Sequence, residues 1–180
     1  MRLLVKEIVI LRYGHRDVRD YRVTSHCALV ARALGAKSIV VCGEKDESMK
    51  KSVDDVTKRW GGPFDVKFEA NWRSALESYK KKGFVSVHLT MYGLPVQEVQ
   101  KKLAKKQKVL IIVGSQKVER EVYDRADFNV SVASQPHSEI AALAVLLDRI
   151  QGGEELSKKF KKADRVIVPQ ERGKKVISLK

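Results

Sequence analysis

The densest chemistry in this chain lies in Arg12-Tyr13-Gly14-His15-Arg16-Asp17-Val18-Arg19-Asp20-Tyr21-Arg22-Val23-Thr24-Ser25-His26. Its arginines recur at intervals of four, three and three. If the chain turns helically after Gly14, Arg16, Arg19 and Arg22 occupy neighbouring faces of one helix. Planar guanidinium forks in that array suit phosphate oxygens better than the single-point contacts of lysine. Asp17 and Asp20 could also neutralise the segment locally. A second set of candidates sits in three loops that follow apolar runs. Leu89 leads into Thr90-Met91-Tyr92-Gly93-Leu94-Pro95, and Leu110–Val113 into Gly114-Ser115-Gln116-Lys117-Val118. Asn129–Val132 leads into Ala133-Ser134-Gln135-Pro136-His137-Ser138-Glu139. Small residues and free backbone amides at such junctions accommodate polar or anionic ligands. One such loop is an ordinary strand-to-helix turn. Three in consecutive units point to a nucleotide-like pocket.

The elements that would position these loops alternate. Strand candidates are Glu7–Leu11, Ser38–Cys42, Val66–Glu69, Phe84–Leu89, Val109–Val113 and Asn129–Val132. Several are unbroken Val/Ile/Leu runs, as strands covered on both faces require. Between them Ser25 is read as the cap of a helix over Cys27–Leu34 that Gly35 stops. Leu76 with Tyr79, and Val96, Val99 with Leu103, mark two further helices. His137-Ser138-Glu139 opens the strongest one, striped by Ile140, Leu143, Ala144 and Leu147 and ended by Gly152-Gly153. The pattern predicts an α/β fold: a mostly parallel sheet with helices on both faces, its ligands beyond the carboxyl ends of the strands. Arg165–Val168 and Lys175–Leu179 predict a C-terminal hairpin too short to stand alone. The domain division read from this is 1–160 for the α/β unit and 161–180 for the hairpin extension.

With 180 residues the chain is one domain with a small appendage, and 43% apolar residues suffice for a core. Lys and Arg number 36 against 22 Asp and Glu, a formal charge of +14, which calls for a polyanionic partner. Lysine runs at Lys80–Lys82, Lys101–Lys108, Lys158–Lys162 and Lys174–Lys175 are read as solvated faces that jointly attract a phosphate backbone. No apolar run approaches the ~18–20 residues of a spanning helix, and MRLLVKEIVILRYG lacks a signal-peptide cleavage site, so a cytoplasmic protein with no membrane role is expected. Cys27 and Cys42 read as buried free thiols. His15, His26, His88 and His137 share no metal-ligand spacing, so no metal is expected. His88 reads as a packed histidine, and Trp60 and Trp72 as packing residues. There is no GxGxxG, no GxxxxGK[ST] and no GxSxG, which disfavours dinucleotide, P-loop and serine-elbow chemistry.

The segments LRYGHRDVRDYRVTSH, ARALGA, VHLTMYG, IIVGSQKVEREVYDRADFNVSVASQPHSEIAAL and the terminal hairpin together resemble the archaeal tRNA (cytidine(56)-2'-O)-methyltransferases of the SPOUT class. The resemblance implies S-adenosylmethionine (S-adenosyl-L-methionine) as methyl donor, the ribose 2'-OH of a TΨC-loop cytidine as acceptor, a homodimer, and a C-terminal trefoil knot. General rules of chain threading would not predict such a knot. It further implies that Leu89, the loop Gly114, Ser115, Gln116, Lys117, Val118, and the loop Val132, Ala133, Ser134, Gln135, Pro136, His137, Ser138, Glu139 bind the cofactor. The catalytic arginine falls within the set Arg22, Arg16 and Arg19, with Arg22 the single choice, because the Asn-x-Gly-x-x-Arg form of related enzymes is not reproduced here. His26 and His137 are alternative proton acceptors. Two other readings stay open: a SPOUT methyltransferase for another RNA, and a basic RNA-binding module with no chemistry of its own.

Overall fold

The computed structural model describes residue 5 and residues 7–179; segment 1–4 and Lys6, the opening of the signal-peptide reading above, lie outside the described residues, as does Lys180. The chain runs β1 (Glu7–His15), α1 (Asp17–Ala33), β2 (Ser38–Gly43), α2 (Glu47–Trp60), β3 (Asp65–Glu69), α3 (Trp72–Lys81) and β4 (Val85–Pro95). It continues through α4 (Val96–Leu103), β5 (Lys108–Gly114), α5 (Arg120–Arg125), β6 (Phe128–Ser131) and α6 (Glu139–Gln151). A 3-10 turn over Glu154–Ser157 then leads to β7 (Arg165–Ile167) and β8 (Val176–Ser178), an antiparallel pair.

The first six strands form one sheet in the order β3-β2-β1-β5-β4-β6, every neighbouring pair parallel. Parallel pairing forces a crossover between consecutive strands, and the helices supply it. Alternate residues of β1 serve opposite faces. Ile8 and Ile10 join the core beneath α1, α2, α4 and α6, whereas Val9, Leu11 and Tyr13 join the one beneath α3 and α5. In β5 the division is Val109, Ile111 and Val113 against Leu110 and Ile112. Double burial explains why these strands read as unbroken apolar runs. The expected fold class therefore holds, including the separate hairpin.

One helix boundary differs from the sequence reading, and one helix, α2, was not read there. Helix α1 begins at Asp17, eight residues before Ser25, so Ser25 is no cap: its hydroxyl donates to the Tyr21 carbonyl at 2.7 Å inside the helix. The N-cap is Arg16, whose side chain makes no capping bond; Asp20 accepts from the Arg16 backbone N–H at 3.0 Å, and Glu44 accepts from the Asp17 N–H of the first turn at 2.7 Å. Helix α2 carries little apolar signal, since among its residues only Met49 and Val53 are buried. Ser138 caps α6 through Ile140 N at 3.2 Å, and Gly152 ends it with φ 67°. The hairpin is tied to the C-terminal end of α2 by Asp164 N donating to Arg59 O at 3.1 Å and by a bridge between Gly62 and Lys161.

Candidate functional site

Because β1, β4, β5 and β6 are parallel, their carboxyl ends open on one edge, and the three candidate loops meet there. A cleft of about 650 Å³ is lined by Leu89, Thr90, Met91 and Tyr92 from β4, by Gly114, Gln116, Lys117 and Val118 after β5, and by Glu139 from α6. His88, Arg120 and Tyr123 complete its wall. A smaller hollow of about 200 Å³ continues from it, sharing Leu89, Thr90, Met91 and Glu139 and adding Val132, Pro136, His137 and Ala142. Of the residues expected here, Ser115, Ala133, Ser134, Gln135 and Ser138 do not line either space. Ser115 instead donates its hydroxyl to the Tyr13 and Gly14 carbonyls at 2.8 and 2.6 Å, which fixes the post-β5 loop to the end of β1.

Strand β4 does not stop at Leu89 as the sequence suggested. Leu89 and Leu94 both pair with Val130 of β6, so Thr90–Gly93 is looped out over the cleft and the strand resumes beyond it. Gly93 makes the return possible: a Cβ there would sit 2.4 Å from Asn129 C and from Val130 N. On the cleft floor His88 Nδ1 hydrogen-bonds Asn129 Oδ1 at 2.9 Å, and the ring packs edge-on against Tyr123 at 4.5 Å between centroids. Burial pushes its pKa below the ordinary histidine range, and the Asn129 bond offsets only part of this, which keeps the ring neutral. His88 is thus a packed histidine, as expected, but one that also faces the cleft.

A guanidinium ties the site together. Arg12, in the middle of an apolar strand, is 0% exposed. Its Nε donates to Thr24 Oγ1 of α1 at 3.2 Å, Nη1 to the Gly114 carbonyl at 2.8 Å, and Nη2 to Glu139 Oε1 at 3.2 Å. One side chain therefore joins α1, the post-β5 loop and the start of α6. A second anchor is Glu119, just beyond the loop. It accepts from Tyr13 Oη at 3.1 Å, Trp72 Nε1 at 3.0 Å and Arg73 Nη2 at 3.0 Å.

A family model described as tRNA ribose 2'-O-methyltransferase, aTrm56, matches residues 60–177, about two thirds of the chain. The segment matched contains all three cleft loops. The chain belongs to this tRNA ribose 2'-O-methyltransferase family. Whole-chain relatives agree. It is 55% identical to the tRNA (cytidine(56)-2'-O)-methyltransferase of Pyrococcus horikoshii over 96% of this chain and 85% of that protein. The enzyme of the same name from Thermococcus kodakarensis is 51% identical over 97% and 98%. Among solved structures, the A. aeolicus TrmH/SpoU tRNA modifying enzyme matches with a TM-score of 0.60 at 14% identity, covering 87% of this chain and 79% of that one. The SpoU methyltransferase AviRb of Streptomyces viridochromogenes in complex with AdoMet gives 0.56 at 19%, covering 84% and 60%. These last two likenesses concern the fold, and the chain spans about three fifths of AviRb.

In this member of the tRNA ribose 2'-O-methyltransferase family the three candidate arginines differ in their engagement. Arg16 is bound to Asp20 through Nε at 3.1 Å as well as through its backbone. Burial alone would raise the Asp20 pKa, but the hydrogen bonds from Arg16 outweigh it and hold the carboxyl below its usual range. Arg19 and Arg22 are exposed and make no hydrogen bond or ion pair among the described residues. None of the three lines the cleft of its own chain. His26, exposed, lies one turn beyond Arg22 on the same face. Sequence reasoning included Arg12 in the arginine array without separating it from the others. The available signal was its setting: a charge inside the apolar run Glu7–Tyr13 requires a buried partner. Glu119 had no signal, since its three donors come from distant segments. Burial pushes the Cys27 thiol up to about 11 and the Cys42 thiol to about 12, so both stay protonated.

Proposed function

We propose that this chain transfers a methyl group from S-adenosylmethionine to the ribose 2'-OH of cytidine 56 in the TΨC loop of tRNA. The observation that carries the reading is the cleft at the joined ends of β4, β5 and β6, in a chain whose whole-length relatives are named for that reaction. The residues fit such a cofactor. Leu89 and Met91 offer apolar surface for an adenine ring, the post-β5 loop offers backbone amides, and the Glu139 carboxylate suits an ammonium group. The bound cofactor supplies an electrophilic methyl group on its sulfonium. Arg22 orients the ribose and stabilises charge developing on the 2' oxygen. It does not take the proton, because a guanidinium has donors and no acceptor site; water or an RNA phosphate does, with His26 and His137 as side-chain alternatives.

The active unit is a homodimer in which the arginine helix of one subunit faces the cleft of the other. This accounts for Arg19 and Arg22 lying off their own cleft. Val18 at 99%, Tyr92 at 76% and Leu94 at 56% exposure give the carboxyl edge an apolar surface for a second copy to cover. A trefoil knot over the C-terminal half accords with β5 inserting between β1 and β4 while β6 passes to the outer edge. The hairpin 161–180 is an extension of a methyltransferase unit ending near residue 160. No helix among the described residues is long and apolar enough to cross a membrane, and a cytoplasmic site of action fits the two buried free thiols.

Equilibrium dialysis with labelled S-adenosylmethionine separates the enzyme from a basic RNA-binding module. Uptake of one equivalent per chain is expected, and no uptake would leave the RNA-binding module as the better account. Arg22→Ala is expected to bind the cofactor normally and to lose about 100-fold or more in methyl-transfer rate, in the range seen for removal of an electrostatic stabiliser. Wild-type rate in that variant would refute the assignment. Mixed dimers of Arg22→Ala with a Glu139→Ala subunit recover part of the activity if the site is shared across subunits.

A further inference from the structure

Two of the four lysine runs read from sequence as solvated faces, Lys80–Lys82 and Lys101–Lys108, converge on one end of the sheet. Lys80–Lys82 close α3 immediately before β4. Lys101, Lys102, Lys105 and Lys106 close or follow α4, immediately before Lys108 opens β5. Strands β4 and β5 are neighbours in register from Val85 and Val109, so the two helix-to-strand connections lie side by side at the amino ends of those strands. Lys108 Nζ donates to the Lys82 carbonyl at 3.0 Å and links them directly. The cleft opens at the opposite end, beyond Leu89 and Gly114. Seven residues of β5 separate the two ends, about 20 Å at ~3.3 Å per residue.

Most of these lysines are left without an ion pair: among the described residues, Lys80 alone of them forms one, 3.5 Å from Asp127. The nearby Arg125, whose carbonyl accepts from Lys80 Nζ, is treated differently: its guanidinium pairs with Glu121 and Glu77. Two of the lysines are pinned over rings, Lys82 at 5.0 Å from Tyr79 and Lys108 at 5.5 Å from Phe84. Like charges held together in this way repel one another, and a polyanion relieves that cost. Lysine's compact ammonium engages phosphates without reading bases. An anionic membrane fits less well, since stable docking there uses inserted apolar side chains, and the exposed large apolar residues lie on the hairpin, at Leu156, on the solvent side of α6 at Val145, and near the cleft.

We propose that this lysine edge is a second RNA-contact surface, which grips phosphates of the same tRNA about 20 Å from the nucleotide in the cleft. The inference rests on the tRNA reading above and adds where the remainder of the substrate is held. Its test is Lys81→Gln/Lys82→Gln/Lys102→Gln/Lys105→Gln, four exposed positions outside the cleft, with Lys51→Gln/Lys58→Gln/Lys67→Gln/Arg149→Gln, exposed and away from the lysine runs, as a charge-matched control. Filter binding of a full-length tRNA transcript is measured from about 0.05 to 0.3 M salt, spanning the range over which phosphate contacts weaken steeply. The edge variant is expected to bind at least about tenfold more weakly near 0.15 M salt, with its log–log salt slope reduced by about 3, at ~0.7–0.9 per lost phosphate contact. S-adenosylmethionine uptake stays at the parent level, and the control keeps parental tRNA affinity. An unchanged slope, an equal loss in the control, or a stronger effect on binding to anionic phosphatidylserine vesicles than on binding to tRNA would overturn the proposal. If the parent binds tRNA with this lysine dependence yet methylates no ribose, the methyltransferase reading fails and the RNA-binding edge stands.

Discussion

Arg12→Met is expected to lower the melting temperature by about 5–10 °C and to weaken S-adenosylmethionine binding at least about tenfold. The substitution keeps an unbranched side chain of similar reach and removes all three donors. The Gly114 carbonyl and the Thr24 hydroxyl then lose partners now at 2.8 and 3.2 Å. A fully buried ion pair broken on one side costs about 3–5 kcal/mol. Here the Glu139 side chain is 37% exposed and regains water, so the expected loss is nearer about 2–3 kcal/mol. At about 2–4 °C per kcal/mol for a domain of this size, the melting shift follows. The binding effect has a separate origin: the post-β5 loop and the start of α6 lose their common tie, so each must be ordered when the ligand arrives. Glu139→Gln separates the two effects, because its amide oxygen still accepts from Arg12 while the charge is gone. That variant is expected to melt near the parent and still bind the cofactor more weakly. Calorimetric melting and titration check both, and an Arg12→Met protein with parental stability and affinity would contradict the role given to Arg12.

Gly93→Ala is expected to have the other large effect. Its added methyl would lie within 2.4–2.6 Å of three backbone atoms of Asn129 and Val130, none of which can rotate away as a side-chain end would. Relief requires the tail of β4 to move off β6, breaking the pairing of Leu94 and Pro95 with Val130 and Ser131. Overpacking of this kind costs about 1–3 kcal/mol or more, and it displaces Thr90, Met91 and Tyr92 from the cleft wall. Gly83→Ala is the contrast. It has nothing within 4 Å of the added carbon and a φ of +83°, so it bears only the conformational cost of a left-handed residue, about 1–2 kcal/mol. Gly93→Ala is expected to lose cofactor affinity as well as stability, and Gly83→Ala stability alone. Equal cofactor affinity in the two variants would show that the return of β4 along β6 does not shape the cleft.

Much of the scaffold was legible because double burial writes itself into sequence. Runs such as Val109–Val113, short and rich in β-branched residues, read as strands covered on both faces, and Ser138 with Gly152 bracketed α6 within a residue. The convergence of three loops followed from parallel strands alone. What stayed hidden depended on distance along the chain. Helix α1 starts at Asp17 rather than near Ser25, and the Asp17 N–H of its first turn is taken by Glu44, 27 residues further on. The return of β4 beyond Leu89 was invisible, since it depends on Gly93 meeting a strand 36 residues later. Arg12 could be recognised as anomalous inside an apolar strand, but Glu139, its partner, lies 127 residues away. The runs Lys80–Lys82 and Lys101–Lys108 read as separate solvated faces because the register of β4 against β5, which brings them together, is a tertiary fact.

Methyl transfer from labelled S-adenosylmethionine to tRNA transcripts, with the product mapped by nuclease digestion and mass spectrometry, tests the central claim most directly. Three substrates suffice: the natural sequence, a uridine at position 56, and a single 2'-deoxycytidine at position 56. The account predicts one methyl per natural transcript, carried on the ribose of cytidine 56, greatly reduced labelling of the uridine variant, and none on the deoxy substrate. Full-yield labelling of the deoxy substrate, or a methyl mapped to a base or to another nucleotide, would contradict it.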